Sequence, residues 1–182
     1  MRIADAGEVE TLIEQMAASI APQIGENTAL LGILRRGAPL AERLADRLEA
    51  INHRRPPVGR LKLKRYSDDL ELLYERPKLD QETLDIDIAK RHLIVVDDVL
   101  YTGTSTLEAV CFLRHAGAAR LQVAVLTARS GRMVPIHADF VGRRIDIGPD
   151  WVIDCDIPPY EDELGITLAH QQALQAADTD RR

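Results

Sequence analysis

Apolar runs of strand length alternate along this chain with segments whose apolar residues recur at helical spacing. Residues 8–20 have that spacing, a second helix is predicted from Pro39 to about Leu48, and residues 105–116 predict a third. The runs that predict strands are residues 28–34, 58–66, 92–96, 121–128, 138–142 and 151–157. Because this alternation is typical of parallel sheets with helices on both faces, the sequence predicts the α/β class. We expect a single domain with a mostly parallel twisted sheet flanked by helices.

The bulk composition fits one globular domain. The 182 residues suffice to bury a core, and 46% hydrophobic with 29% charged residues is an ordinary balance. A formal net charge of −6 argues against a protein dominated by attraction to nucleic-acid phosphates, although local basic patches are compatible with it. Cys111 and Cys155 are too few for a disulfide or zinc framework and are predicted to be small core residues. With neither a membrane-length apolar run nor a signal peptide, we expect a cytoplasmic protein with no membrane partner.

Two adjacent carboxylates, Asp97 and Asp98, directly follow the apolar run 92–96, and a hydroxyl-rich turn at Thr102–Thr106 comes next. In a parallel sheet this places the carboxylates at the carboxyl ends of the strands, where ligands bind. Neighbouring carboxylates need a cation, hydroxyl donors or water, whereas backbone N–H groups at the start of a helix attract anions. Together the two features predict a ligand with a diol or metal at one end and a phosphate at the other, such as a ribose 5-phosphate.

Other interpretations of this segment are less specific. No Gly-Lys-Ser/Thr follows, so the turn is not a Walker loop, and Gly103 alone does not make the three-glycine dinucleotide fingerprint. In a purely structural interpretation, Asp97 and Asp98 cap a helix and Gly103 permits a turn. The combination of an apolar strand, an Asp pair and Thr-Gly-x-Ser favours a ligand site.

The segment VVDDVLYTGTST, residues 95–106, resembles the phosphoribosyl-pyrophosphate (PRPP) motif of the type I phosphoribosyltransferases. The resemblance implies that family's fold, including a small hood, and implies that Asp97 and Asp98 hold the ribose hydroxyls, partly through Mg2+. GILRRG, residues 32–37, resembles the family's pyrophosphate loop, which implies that Arg36 and Gly37 bind the pyrophosphate and that Arg36 has a catalytic role beside the Asp pair. The other PRPP-binding residues implied are Arg35, Gly37, Tyr101, Thr102, Gly103, Thr104, Ser105 and Thr106, the last five around the 5-phosphate.

Two further segments resemble the bifunctional pyrimidine operon attenuator/uracil phosphoribosyltransferases. YSDDL at residues 66–70 is similar to their flexible-loop signature, and residues 125–142 align with that group without gaps. Tyr101 also favours the group, because 6-oxopurine enzymes usually have an aspartate there. Thr104, Ala128 and Ser67 depart from the group's pattern. Ser67 stands where the group has an arginine, and Arg65 is the candidate to substitute for that arginine. The implied flexible-loop residues are Arg65, Tyr66, Ser67 and Asp68.

The stretch 146–165 instead resembles the hypoxanthine-guanine phosphoribosyltransferases, in which an aromatic residue stacks on the base. This implies base contacts from Trp151 and Val152. The acceptor therefore stays open between uracil, which Tyr101 and the attenuator-like segments favour, and hypoxanthine or guanine. The predicted activity is that of a pentosyl-transferring glycosyltransferase, which moves the 5-phosphoribosyl group from PRPP to a nucleobase and releases pyrophosphate.

The remaining parts of the chain have structural expectations. Residues 67–90 are polar and acidic, and we expect a mobile active-site loop that closes over the bound sugar. The hood is expected at about residues 143–170 and a frayed tail at about residues 172–182. By analogy with the family, we expect a homodimer or a higher homo-oligomer.

Two other functions compete with this activity. The attenuator resemblance favours a nucleotide-sensing, RNA-binding regulator of pyrimidine genes. Basic residues that could form its RNA surface are His53, Arg54, Arg55, Arg60, Lys62, Lys64 and Arg65. Ser67 is the one hint of a third function, a PRPP binder without turnover.

Overall fold

The central element of the computed structural model, which describes residues 1–62 and 86–172, is a parallel sheet of five strands. The strands are β2 (Thr28–Ile33), β3 (Val58–Leu61), β4 (His92–Leu100), β5 (Arg120–Arg129) and β6 (Phe140–Ile145). They are ordered β3-β2-β4-β5-β6, and every neighbouring pair is parallel. The predicted fold class is therefore confirmed.

Helices cover both faces of this sheet. α1 (Ala6–Ile20) and α2 (Gly37–Asn52) pack on one face, and α3 (Thr104–His115) packs on the other. Successive residues of a strand point to opposite faces, so Leu30 joins the α1–α2 core while Leu31 joins the α3 core. Of the helices in the described part of the chain, none is both long and apolar enough to cross a membrane.

The helix starts differ slightly from those predicted. α1 begins at Ala6 because Asp5 and Glu8 form a capping box, in which each side chain accepts a hydrogen bond from the other residue's backbone N–H at 2.9 and 3.0 Å. α2 begins at Gly37, two residues before the predicted start at Pro39, since proline is tolerated within the first turn.

Three antiparallel strands form a second, smaller sheet beside the carboxyl ends of the parallel strands. They are β1 (Arg2–Ala4), β7 (Trp151–Asp156) and β8 (Gly165–His170), in the order β1-β8-β7. This is the small hood. The sequence patterns missed β1, which has three residues, and β8, which lies in a stretch interpreted as polar. Residues 143–145, expected in the hood, instead extend β6 of the parallel sheet.

Two other predictions need correction. β4 does not end before the Asp pair but continues to Leu100, because Asp97 and Val99 still align with Val125 and Thr127 of β5. Cys155 is buried as predicted, and burial raises the pKa of its thiol, but Cys111 is exposed on α3. A cysteine on the outer face of a helix has no packing partner in the core.

Two glycines determine how closely the β2–α2 connection approaches the sheet. A Cβ atom on Gly32 would overlap the Ala38 Cα and lie 2.7 Å from the Ala38 backbone nitrogen. A Cβ atom on Gly37 would overlap the Val96 carbonyl oxygen and lie 3.2 Å from the Asp97 Cα. The start of α2 therefore packs directly against the end of β4.

Gly32→Ala should lower the free energy of unfolding by about 1–3 kcal/mol, because the added methyl group meets backbone atoms that cannot rotate away. Urea unfolding followed by circular dichroism measures the change. Gly7→Ala in the first turn of α1 is the matched control, since the nearest atom to its Cβ would be 3.5 Å away. Equal stability of Gly32→Ala and the wild type would contradict this packing.

Candidate active site

A crevice of about 430 Å³ opens at the carboxyl ends of β2 and β4. It brings together residues from the two segments singled out in the sequence, the β2–α2 connection and the turn before α3. Its lining consists of Ile33, Leu34, Arg35, Arg36, Asp97, Asp98, Val99, Tyr101, Thr102, Gly103, Ser105 and Thr106. Most of the predicted PRPP-binding residues therefore share one cavity.

The turn before α3 has the backbone form of an anion site. Gly103 has φ +85° and is the residue from which α3 starts, with no side chain capping the helix. A Cβ atom on Gly103 would overlap the Ile136 side chain and lie 3.0 Å from Val134 Cγ2, so only glycine fits. The first turn of α3 holds no acidic residue, and the Thr104 N–H donates to Thr102 Oγ1 at 3.5 Å. The N–H groups of Ser105 and Thr106, together with the helix dipole, suit an anion.

The Asp pair lies at the crevice wall, with both residues half-buried. The Asp98 backbone N–H donates to Asp97 Oδ1 at 3.0 Å, and the Val99 N–H donates to Asp98 Oδ1 at 2.9 Å. Thr127 Oγ1 donates to the Asp98 carbonyl oxygen at 3.2 Å, which ties this backbone to β5. Both carboxylates are thus oriented by local backbone donors beside the crevice.

Arg36 is held by carboxylates from the hood. Its guanidinium contacts Glu161 Oε1 at 2.6 Å and Asp154 Oδ1 at 2.8 Å, and lies 4.0 Å from Asp98 Oδ2. The hydrogen bond to Glu161 is the largest cause of a raised pKa of Arg36. Glu161 is itself fixed, because its Oε2 accepts the Ile157 N–H at 2.8 Å. The charge of Arg36 is therefore largely balanced within the protein.

Arg35 has a different environment. Its side chain is exposed, lines the crevice and has its guanidinium carbon 5.2 Å from the centroid of the Tyr160 ring. Among the residues that the structure describes, no carboxylate forms a salt bridge with Arg35. Of the two adjacent arginines, Arg35 thus presents the less compensated positive charge to the crevice.

The sequence patterns missed Arg129, Asp154 and Glu161. Arg129 ends β5 and is buried, with its guanidinium carbon 3.9 Å from the centroid of the Tyr101 ring. Its guanidinium donates to the carbonyl oxygens of Gly148, at 2.9 Å, and Trp151. The sequence signal that could have revealed Arg129 is a charged residue at the end of an apolar run, because a charge buried there needs fixed hydrogen-bond partners.

Other predicted site residues lie apart from the crevice lining. Gly37 packs against β4, and Thr104 is exposed at the first position of α3. Trp151 and Val152 open β7, where the Trp151 ring packs edge-on against His170 with centroids 5.3 Å apart. Arg65, Tyr66, Ser67 and Asp68 lie outside the described residues, as do most of the loop 67–90 and the tail from residue 173.

Comparison with known proteins agrees with the geometry. The model of the phosphoribosyl transferase domain matches residues 2–162. The chain belongs to the phosphoribosyltransferase family. The predicted enzyme class, a pentosyl-transferring transferase, is thereby confirmed.

Relatives of this phosphoribosyltransferase support the resemblance found in its motifs. It is 41% identical over 152 residues to a bifunctional protein PyrR from Roseiflexus sp., covering 82% of this chain and 83% of the relative. It is 31% identical over 171 residues to a bifunctional protein PyrR from Oceanobacillus iheyensis, covering 91% and 95% of the two chains. The predicted family resemblance is confirmed.

Solved structures show the same fold at lower identity. The hypoxanthine phosphoribosyl transferase of Trypanosoma cruzi superposes with a TM-score of 0.76 at 20% sequence identity, covering 98% of this chain and 95% of that one. At this identity the likeness concerns the fold.

Glu161→Gln should change how stability depends on pH. Burial raises the pKa of Glu161, but the hydrogen bonds from Arg36 and the Ile157 N–H outweigh it, so the pKa lies below its ordinary 4.5. Such a carboxylate contributes stability that is present above pH 4.5 and lost as pH falls through the lowered value. Urea unfolding should show the wild type more stable by about 1 kcal/mol at pH 6, with the difference shrinking on acidification.

Glu163→Gln is the control for this experiment, because Glu163 pairs with Arg2 at a more exposed position. Because that contact is exposed to solvent, Glu163→Gln should lower stability at pH 6 less than Glu161→Gln does. Wild-type stability of Glu161→Gln at pH 6 would show that the Arg36 contacts contribute nothing to stability.

Proposed function

We propose that this phosphoribosyltransferase transfers the 5-phosphoribosyl group of PRPP to a nucleobase, with uracil as the favoured acceptor. The observation that carries the proposal is the single crevice that combines the Asp97–Asp98 pair with the Gly103 turn at the start of α3. Uracil is supported by Tyr101 within the motif and by the similarity to proteins named bifunctional protein PyrR.

The crevice suggests a role for each group of residues. The α3 N-terminus and the Thr102–Thr106 turn bind the 5-phosphate through backbone N–H groups and hydroxyls. Asp97 and Asp98 accept hydrogen bonds from the ribose diol. Arg35, exposed at the β2–α2 connection, binds the pyrophosphate, while Arg36 keeps that connection fixed against the hood.

Mg2+ fits the donor set of this site. The carboxylates of Asp97 and Asp98 are hard oxygen donors, and Mg2+ is usually held by one or two carboxylates together with substrate phosphates. Within the described ranges, no group of three or more His, Cys, Asp or Glu side chains forms a closed metal site. We therefore assign the ion to the Asp pair and the oxygens of PRPP, where it would neutralise negative charge on the departing pyrophosphate.

The protein's own contribution is positioning and electrostatics. In the reaction, the bond between the ribose anomeric carbon and pyrophosphate breaks, a bond to a ring nitrogen of the base forms, and that nitrogen loses its proton. Anchoring the 5-phosphate and the diol at opposite ends of the crevice orients the anomeric carbon toward the base. Arg35 stabilises the charge that develops on the leaving group.

An acceptor panel tests the proposal. The protein is incubated with PRPP, Mg2+ and uracil, hypoxanthine, guanine, xanthine or adenine, and nucleotide product is quantified by chromatography. We expect UMP as the main product. The double variant Asp97→Asn/Asp98→Asn should retain its fold and lose turnover by at least about 100-fold, because amides cannot replace two charged oxygen donors.

Asp162→Asn, at an exposed position of the hood, is the matched control and should keep wild-type activity. Wild-type turnover in the double variant would overturn the assignment of the Asp pair. Predominant formation of IMP or GMP would move the acceptor to hypoxanthine or guanine, the alternative that the Trp151 segment supports.

A second candidate function is that of an RNA-binding regulator of pyrimidine genes. It is supported by the similarity to relatives named bifunctional protein PyrR and by the basic residues after α2. Part of this basic group is already paired: Arg55 contacts Glu42 at 2.7 Å and Asp46 at 2.9 Å. Arg54, Arg60 and Lys62 remain as candidate phosphate contacts.

Binding to a labelled single-stranded pyrimidine-gene leader RNA, measured by fluorescence anisotropy at 50 and 200 mM salt, tests this function. If three phosphates are contacted, the slope of log K against log salt should be about −2. The triple variant Arg54→Gln/Arg60→Gln/Lys62→Gln should flatten that slope. No binding at the lower salt concentration would remove RNA regulation as a candidate.

A further inference from the structure

Arg129 connects two parts of the molecule that are distant in sequence. It is 7% exposed at the end of β5, and its guanidinium faces the Tyr101 ring at 3.9 Å. The same guanidinium donates to the carbonyl oxygens of Gly148 and Trp151, and its Nε donates to the Ser130 carbonyl at 3.4 Å. One side chain thus joins the PRPP motif to the turn that leads into the hood.

The geometry of these contacts depends on the shape of the guanidinium. Its planar fork directs several N–H groups at separate carbonyl oxygens while one face stays free to stack on an aromatic ring. A lysine ammonium carries its three donors on a single nitrogen, so it does not reproduce the spacing of the guanidinium nitrogens, and it has no planar face to stack. The arrangement therefore uses properties that arginine alone provides.

Tyr101 is confined on a second side as well. Gly131 has φ +99°, and a Cβ atom there would lie 2.9 Å from the Tyr101 Cε2 atom. Arg129 and Gly131, two residues apart, thus both pack against the Tyr101 ring. Tyr101 lines the crevice and Trp151 begins β7, and Arg129 contacts both, so its side chain links the position of the Tyr101 ring to that of the Trp151 backbone.

We propose that Arg129 is a positioning residue for the acceptor base. It holds the Tyr101 ring and the Trp151 backbone in fixed positions on two sides of the place where the base binds. This rests on the proposed function, in which the base reacts beside the PRPP-binding crevice. Arg129 does not contact the base itself. Its loss should weaken the use of the base and leave the binding of PRPP intact, since the 5-phosphate turn and the Asp pair are positioned by other contacts.

Two variants and one control test the proposal. Arg129→Lys keeps the charge but loses the fork and the stacking face, and Arg129→Met removes the charge. Arg132→Lys is the matched control, because Arg132 is an exposed arginine of the same connection. For Arg129→Lys, we expect kcat/KM for the nucleobase to fall at least about tenfold, while the Kd of PRPP from isothermal titration stays within about threefold of the wild type.

Trp151 supplies a readout that is independent of turnover, because it is the only tryptophan of the chain. Release of its carbonyl group should make its fluorescence in Arg129→Lys and Arg129→Met more accessible to quenching by acrylamide, with no change in Arg132→Lys. If Arg129→Met does not fold, Arg129→Lys still provides this comparison.

The possible results separate the two proposals. Failure of the wild type to bind PRPP or to use any base would refute the proposed function, whereas the Trp151 quenching would still report on the Arg129 contacts. Unchanged base kinetics in Arg129→Lys would overturn the positioning role. An equal loss of PRPP affinity and base use would also overturn it, because Arg129 would then support the whole site without distinction.

Discussion

The close contact between the start of α2 and the end of β4 is the constraint on which the site depends. Gly37 can approach the Val96 carbonyl only because it has no side chain, and Gly32 in β2 allows the same close approach of the Ala38 backbone. This contact brings the β2–α2 connection beside the Asp pair, so that Arg35, Arg36 and both carboxylates line one crevice. Without this contact, the β2–α2 connection and the Asp pair would lie at the ends of neighbouring strands but would not line one crevice.

Charge at the crevice follows from the same contact. The guanidinium of Arg36 lies near the carboxylates of Asp98, Asp154 and Glu161. Its positive charge is therefore balanced by side chains of the protein itself. A partly buried cation this close to the sheet is stabilised by the carboxylates that accompany it. The adjacent Arg35 faces the crevice instead, so one arginine serves the fold and the other is available to an anionic ligand.

The sequence predicted local features of the fold and the site better than long-range ones. The parallel sheet and the PRPP motif come from continuous stretches whose periodicity and residue order carry the information, as at Asp97 to Thr106. β1 was missed because three residues are too few to form a pattern, and β8 because it lies in a stretch interpreted as polar. β8 is a strand because it pairs with β7 on one side and β1 on the other. The same holds for Glu161, whose role arises from a partner 125 residues away.

This difference explains why the donor is easier to predict than the acceptor. The proposed ribose and phosphate contacts lie within residues 97–106, whereas the proposed acceptor position involves Tyr101, Arg129 and Trp151, which are distant from one another in sequence. No single motif contains that assembly, so the motifs pointed to uracil at one end and to purines at the other. Arg129 contacts both the Tyr101 ring and the Trp151 carbonyl oxygen, so the segment that resembles pyrimidine enzymes and the segment that resembles purine enzymes are joined by one side chain. The specificity of the enzyme should therefore depend on how these parts are held together.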